Sequence, residues 1–168
     1  MANARESLAA WLRDAHAMEG QAISLLETQI QRLESYPEAL PRLREHLAET
    51  KQQRGQVEQC LQKLGEDTST LKDATMKLGA NLQGLMHAMS SDEVLKDALA
   101  SNAFEHFEAA SYCALAAAAN DAGEPEIAKT CENIMRQELA MADWVWQQLP
   151  PMTHKYLQRS EAGLQAKR

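Results

Sequence analysis

The feature that most constrains the fold is a set of four long segments in which apolar residues recur at alternating spacings of three and four. This spacing is the stripe that a helix buries in a helical bundle. Turn-forming residues separate the segments at Ser35-Tyr36-Pro37, Gly65, Gly123-Glu124-Pro125 and Pro150-Pro151. The pattern therefore predicts long helices at about residues 3–35, 39–64, 92–122 and 125–149.

The lengths of these helices and of their connections indicate how they pack. A helix of about 25 to 30 residues spans roughly 40 Å, which is the scale of a four-helix bundle. The short first and last connections make antiparallel hairpins, whereas the long middle connection can run the length of the bundle. We expect an all-α, antiparallel four-helix bundle of the ferritin-like kind, formed by residues 1–150 and followed by a C-terminal tail, 151–168, that is irregular or a short docked helix.

The long middle connection has its own apolar pattern. It predicts a weaker amphipathic helix at about residues 69–89 that packs across the outside of the bundle. The apolar positions that it would bury are Leu71, Leu78, Leu82, Leu85 and Met86.

Composition and charge exclude several functional classes. The 168 residues carry a formal net charge of −7, which argues against nucleic acid as a partner because phosphate binding needs a basic face. No apolar run approaches the roughly 20 residues of a membrane span, and the N-terminus lacks a secretory signal, so we expect a cytoplasmic protein without a membrane partner. The three widely spaced cysteines indicate reduced thiols. Nucleotide-binding loops and nucleophile motifs are absent from the sequence.

Three of the four apolar stripes carry a glutamate near their centre. These residues are Glu19 in the first helix, Glu105 in the third and Glu138 in the fourth. Mid-helix positions of antiparallel helices meet at the same height, so the three carboxylates should converge in the bundle interior. Buried carboxylates repel one another and need a positive partner. The usual partner in a bundle is a pair of divalent iron or manganese ions bridged by glutamates.

The second helix departs from this pattern. Its apolar stripe runs through Leu47, Thr50 and Arg54 and has no acid at its centre. His46 flanks the stripe, and Glu49 lies about 100° or more from its axis. The residues three positions after Glu49 and Glu138 are Gln52 and Met141, where a di-iron bundle has histidines. His46 is therefore either a metal ligand or a partly exposed histidine, and Arg54 could neutralise the acids without a metal.

Several segments together resemble a known family. They are Asp14–Glu19 in the first helix, His46–Thr50 and Gln56–Gln59 in the second, Glu105–Tyr112 in the third and Arg136–Glu138 in the fourth. Over about residues 5–149 the chain resembles the YciE/YciF-type stress-associated ferritin-like proteins. It departs from their pattern at Phe107, where the family has a tyrosine, and in the thinner acidic run of the last helix.

This resemblance implies a dinuclear iron or manganese centre held by carboxylates and a homodimer or higher homo-oligomer. The candidate metal ligands are Glu19, His46, Glu49, Glu105, Glu108 and Glu138. The sequence leaves two functions open. One is a metal-binding bundle that handles metal or oxidants under stress, and the other is a metal-free oligomeric stress or structural protein. In the second, Arg54 compensates the acids, and Trp11, Trp144, Trp146 and residues 152–157 supply an apolar anchor.

Overall fold

The computed structural model describes residues 3–66 and 93–166, which form four long α-helices and one short 3-10 turn. The helices are α1 (Ala4–Arg32), α2 (Leu40–Lys63), α3 (Glu93–Asp121) and α4 (Pro125–Glu161), and the 3-10 turn is Pro37–Ala39. Helices α1 and α2 form one hairpin and α3 and α4 another, with α1 beside α3 and α2 beside α4. The predicted all-α four-helix bundle is confirmed. None of the described helices is long and apolar enough to cross a membrane. The helix predicted at 69–89 lies outside the described residues.

The helices end where local chemistry stops them. The side chain of Asn3 accepts a hydrogen bond from the backbone N–H of Glu6, and the Glu6 carboxylate accepts one from the N–H of Asn3, which together form a capping box. Gly65 and Gly123 follow α2 and α3 with φ of +80° and +75°, a conformation that glycine adopts without strain. At α2 the N–H of Glu66 reaches the carbonyl of Leu61, as in a Schellman motif. The predicted ends of these two helices are correct to within about one residue.

Helix α4 is longer than the sequence indicated. We expected it to end at residue 149 because two prolines follow, and this was wrong, since α4 continues through Pro150 and Pro151 to Glu161. Each proline removes a backbone donor from the helix. The Thr153 hydroxyl donates to the Leu149 carbonyl at 2.7 Å, but this bond does not replace the donors that the Trp146 and Gln147 carbonyls lose. Beyond the prolines the helix is held by contacts with the connection between α1 and α2, which a local sequence pattern does not reveal.

The bundle interior consists of two apolar layers with a polar layer between them. One apolar layer includes Leu12, Val57 and Ile134. The other, at the opposite end of the helices, includes Leu26, Leu43 and Met141. Each helix has a buried acid or histidine at a sequence position between its residues of the two apolar layers, and these side chains form the polar layer. Burying polar groups lowers the free energy of unfolding unless the groups are paired, so this polar layer is the candidate functional site.

Candidate metal centre

Each of the four helices contributes an acid or a histidine to the polar layer. The residues are Glu19 from α1, His46 from α2, Glu105 and Glu108 from α3, and Glu138 from α4, and we call them the carboxylate cluster. All five are at most 4 % exposed. The predicted burial of Glu19, Glu105 and Glu138 is confirmed.

His46 lies at the centre of the carboxylate cluster. Its Nε2 atom is 3.2 Å from Oε2 of Glu105 and 3.8 Å from Oε2 of Glu138. These three residues each offer a ligand atom, and the three atoms lie within 4.8 Å of one another. Imidazole and carboxylate groups at this separation could bind one divalent ion together.

Two neutral side chains orient the carboxylates of Glu19 and Glu138. The hydroxyl of Tyr112 donates a hydrogen bond to Oε1 of Glu19. The amide nitrogen of Gln53 donates to Oε1 of Glu138 and also reaches Oε1 of Gln137 at 3.2 Å. Tyr112 and Gln53 are both fully buried. Each therefore holds one oxygen of a glutamate and leaves the other oxygen available.

Burial makes the carboxylate cluster hold protons at neutral pH when no cation is present. Desolvation raises the pKa of Glu19 to about 7, although the hydrogen bond from Tyr112 opposes that rise. Desolvation and the neighbouring Glu105 raise the pKa of Glu138 to about 10. The pKa of Glu108 is raised well above its usual range by desolvation and by the charges of the surrounding glutamates. A cation in this layer would reverse these shifts because it stabilises the ionised carboxylates.

Unsatisfied oxygen atoms show that the donor set fits a metal. Among the described residues, four carboxylate oxygens of this layer are buried without a hydrogen-bond partner, namely Oε2 of Glu19, Oε2 of Glu105, Oε1 of Glu108 and Oε2 of Glu138. An unpaired buried acceptor costs about 1–3 kcal/mol, so four in one layer are unusual in a stable protein. Metal coordination would satisfy all four. The residues present therefore fit an ion bound by carboxylates and one histidine.

The orientation of α2 differs from the sequence prediction. We expected Leu47 and Arg54 in the buried stripe and His46 and Gln53 beside it. In the structure His46 and Gln53 are each 1 % exposed, whereas Leu47 and Arg54 are only partly buried. The buried positions of α2 are Leu43, His46, Thr50, Gln53, Val57, Cys60 and Leu61. The spacing of these positions also alternates between three and four. Hydrophobicity alone, however, predicts that the neighbouring face with Leu47 is buried.

Three further side chains, near the cluster in the chain, differ in burial. Glu49, a candidate ligand from the sequence, is partly buried, whereas His16 is buried and His106 is exposed. Glu49 lies on the far side of His46, where its Oε2 is 3.1 Å from Nδ1 of that ring. His16 is buried and accepts a hydrogen bond on Nε2 from Nε of Arg54 at 3.3 Å. The structure therefore does not bring Glu49 together with Glu105 and Glu138.

Arg54 acts on Glu19 through its charge and does not pair with an acid of the carboxylate cluster. Its charge lowers the pKa of Glu19, but less than the hydrogen bond from Tyr112 and the charge of His46 do. Within residues 3–66 and 93–166, no ion pair joins Arg54 to a carboxylate. Arg54 thus offers at most a distant compensation for the buried charge.

The sequence pattern of their own helices did not identify three residues of the candidate site, Glu108, Gln53 and Tyr112. Glu108 was named only through the resemblance, although its position three residues after Glu105 places it on the same helix face. Gln53 was placed beside the buried stripe. Tyr112 was assigned to the stripe as a packing residue, and its hydroxyl partner on another helix could not be predicted from its own segment.

The tryptophans are less uniform than the sequence suggested. Trp11 is 48 % exposed and Trp146 is 67 % exposed, as expected for surface anchors. Trp144 is partly buried and packs against the apolar layer that contains Leu43 and Met141.

The three cysteines are free thiols, of which Cys60 and Cys131 are buried and Cys113 is exposed.

Comparison with known proteins shows the family and the fold of this chain. The sequence model of the family DUF892, described as a domain of unknown function, matches residues 3–158. The fold is similar to that of a protein from Xanthomonas campestris pv. campestris (XCC3681) whose crystal structure is known. The two chains are 39 % identical with a TM-score of 0.80, and the match covers 94 % of this chain and 98 % of the other.

Proposed function

The chain belongs to the DUF892 family, and we propose that it holds a dinuclear iron or manganese centre in its carboxylate cluster. The observation that carries this proposal is the set of buried, unpaired carboxylate oxygens around His46. Iron or manganese would supply redox chemistry and Lewis acidity when bound. The protein's own residues would bind the ions, exclude water and fix the orientation of the ligands.

The composition of the carboxylate cluster supports iron or manganese over other metals. Four carboxylates and one imidazole are oxygen-rich and contain no sulfur, which disfavours copper(I) and structural zinc. Carboxylate-bridged pairs of iron or manganese are the cofactors that four-helix bundles hold with such side chains. This chain differs from the usual arrangement because α3 contributes Glu105 and Glu108 three residues apart, and only α2 contributes a histidine.

We also propose that the protein handles metal or oxidants under stress. The resemblance to stress-associated ferritin-like proteins supports this role. Apolar layers on both sides of the carboxylate cluster would keep bulk water from the bound ions, and low polarity strengthens the attraction between each ion and its carboxylates.

Metal analysis of the purified protein tests the proposal. We expect protein from iron- or manganese-supplemented cells to contain roughly two equivalents of metal per chain, measured by elemental mass spectrometry. Glu105→Gln and Glu138→Gln should each reduce the bound metal, because an amide keeps the shape but removes a charged ligand.

Glu27→Gln is the matched control for these two variants. Glu27 is a surface residue whose partner is Lys51, at 2.9 Å. Its replacement should leave the metal content unchanged. Only trace amounts of transition metal in the wild-type protein from both kinds of cell would contradict the proposal.

A further inference from the structure

We propose that Glu49 is a positioning residue that directs the Nε2 atom of His46 towards the carboxylate cluster. The inference rests on the proposed metal site and assigns Glu49 a role outside the ligand set. Three observations support it. The two ring nitrogens of His46 have different partners, and Arg42 holds Glu49 in place. Within the described residues, Glu45 contacts the same arginine but does not contact the ring.

The two ring nitrogens of His46 face different partners. Nδ1 lies 3.1 Å from Oε2 of Glu49, and Nε2 lies 3.2 Å from Oε2 of Glu105. A neutral imidazole carries one proton, and the nitrogen that binds a metal must be the one without it. A carboxylate at Nδ1 accepts that proton's hydrogen bond and leaves Nε2 as the ligand atom.

Bulk solvent does not reach the ring of His46, so protein side chains set its orientation. The residue is 1 % exposed, so its ring nitrogens have protein groups as their partners. The side chain of Glu49 is 26 % exposed and reaches solvent at the edge of the bundle. It can therefore keep its charge more easily than the four glutamates in the interior, which makes it the better acceptor for a fixed N–H group.

Arg42 holds Glu49 in this position. Its Nη1 atom lies 3.0 Å from the same Oε2 that faces His46. The resulting chain runs from Arg42 through Glu49 and His46 to Glu105. All links but the last lie within α2, so the rigidity of one helix sets the direction of the ring.

Glu45 provides a control within the same network. It binds the same Nη1 atom of Arg42, at 3.2 Å, but its side chain is 66 % exposed. Glu45 and Glu49 therefore share a cationic partner and a helix, but in the described part of the chain it is Glu49 whose side chain contacts His46. If replacing Glu49 weakens metal binding and replacing Glu45 does not, the effect comes from the contact with the imidazole and not from the loss of a charge near Arg42.

The test compares Cd²⁺ affinity and the NMR spectrum of His46 in three variants. We expect Glu49→Leu to weaken Cd²⁺ binding by about 10- to 100-fold, which is the usual effect of losing a residue that orients a metal-binding histidine. Glu49→Gln should restore part of the affinity because its amide oxygen still accepts from Nδ1. Glu45→Leu should bind as the wild type does.

The NMR readout separates orientation from folding. In ¹¹³Cd-loaded wild-type protein, coupling should join the metal to Nε2 of His46, and the Nδ1 proton should exchange slowly with water. Glu49→Leu should lose the slow exchange while its helical circular dichroism stays unchanged. Equal affinities and equal proton exchange in Glu49→Leu and Glu45→Leu would overturn the inference alone. A wild-type protein that binds no Cd²⁺, iron or manganese would overturn the proposed function and this inference with it.

Discussion

At the scale of single residues, the ionisation of the carboxylate cluster depends on a few neutral donors. Tyr112 is fully buried and its hydroxyl donates to Glu19, whose other oxygen has no partner among the described residues. A hydrogen bond to an ionised carboxylate favours the charged form and lowers its pKa. The Tyr112 hydroxyl is therefore a determinant of how much of Glu19 is ready to bind a cation at neutral pH.

Replacement of Tyr112 by phenylalanine tests this dependence. In the metal-free protein, Tyr112→Phe should lower the free energy of unfolding by about 1–3 kcal/mol where Glu19 is ionised. Because the hydrogen bond stabilises the charged form, the loss should be larger at pH 8 than at pH 5. Urea unfolding at the two pH values measures it, and an equal loss at both would show that the hydroxyl does not act through Glu19.

At the scale of elements, α4 connects the carboxylate cluster to the far end of the bundle. Past Pro150 and Pro151, Lys155 binds Glu38 at 2.8 Å and lies 4.9 Å above the ring of Tyr36. The Tyr36 hydroxyl, in turn, donates to the carbonyl of Ala166 at 2.9 Å. These contacts attach the last part of the chain to the α1–α2 connection, and they help explain why the two prolines do not end the helix.

The Tyr36–Ala166 bond should control how firmly the C-terminal residues are held. Tyr36→Phe removes a buried hydrogen bond worth about 1 kcal/mol, so the C-terminal residues should detach about five times more often. Limited proteolysis followed by mass spectrometry should show faster cleavage after residue 150. Glu38→Gln, which weakens only a solvent-exposed ion pair, should have a smaller effect. No change in Tyr36→Phe would mean that other contacts hold this segment.

At the scale of the whole molecule, stability and metal occupancy should be linked through pH. Without metal, the raised pKa values of Glu19 and Glu138 mean that the folded state holds protons more tightly than the unfolded state. That contribution is fully present below the unfolded value near 4.5 and is lost as pH rises, through about 7 for Glu19 and about 10 for Glu138. Metal binding has the opposite dependence, because its ligands must be ionised.

We therefore expect the chelated protein to become less stable between pH 5 and pH 8. Glu19 alone would account for roughly 3 kcal/mol, at about 1.4 kcal/mol for each unit of pKa shift. The stabilisation by added iron or manganese should grow over the same range. Urea unfolding of chelated and loaded samples measures both trends. Glu138→Gln removes one of the two titrating groups and leaves Glu19, so it should make the pH dependence of the chelated protein less steep. A flat wild-type curve would contradict this account.

The same unfolding curves distinguish two hypotheses: that a bound metal stabilises the buried acids, and that Arg54 neutralises them without a metal. If Arg54 were the counter-ion of the acids, chelation would change nothing and Arg54→Met would be strongly destabilising. In the structure Arg54 donates to His16 and does not pair with a described carboxylate. We expect Arg54→Met to cost less than about 1 kcal/mol in the loaded protein, as for a partly exposed charge.

The sequence by itself determined the four-helix bundle and the three glutamates of α1, α3 and α4. Apolar periodicity and turn residues act within one segment, and Glu19, Glu105 and Glu138 replace apolar residues at positions that the periodicity already marks as buried. The approximate ends of α2 and α3 were predictable for the same reason, since Gly65 and Gly123 adopt conformations that other residues avoid.

Only the tertiary structure decided which face of α2 turns inward and where α4 ends. His46 and Gln53 are stable in the interior because Glu105 and Glu138, on other helices, supply their partners. Without those partners Leu47 would be the better core residue, which is what its own segment indicates. Likewise, α4 continues past Pro150 with the support of contacts around Tyr36, more than a hundred residues away in the chain.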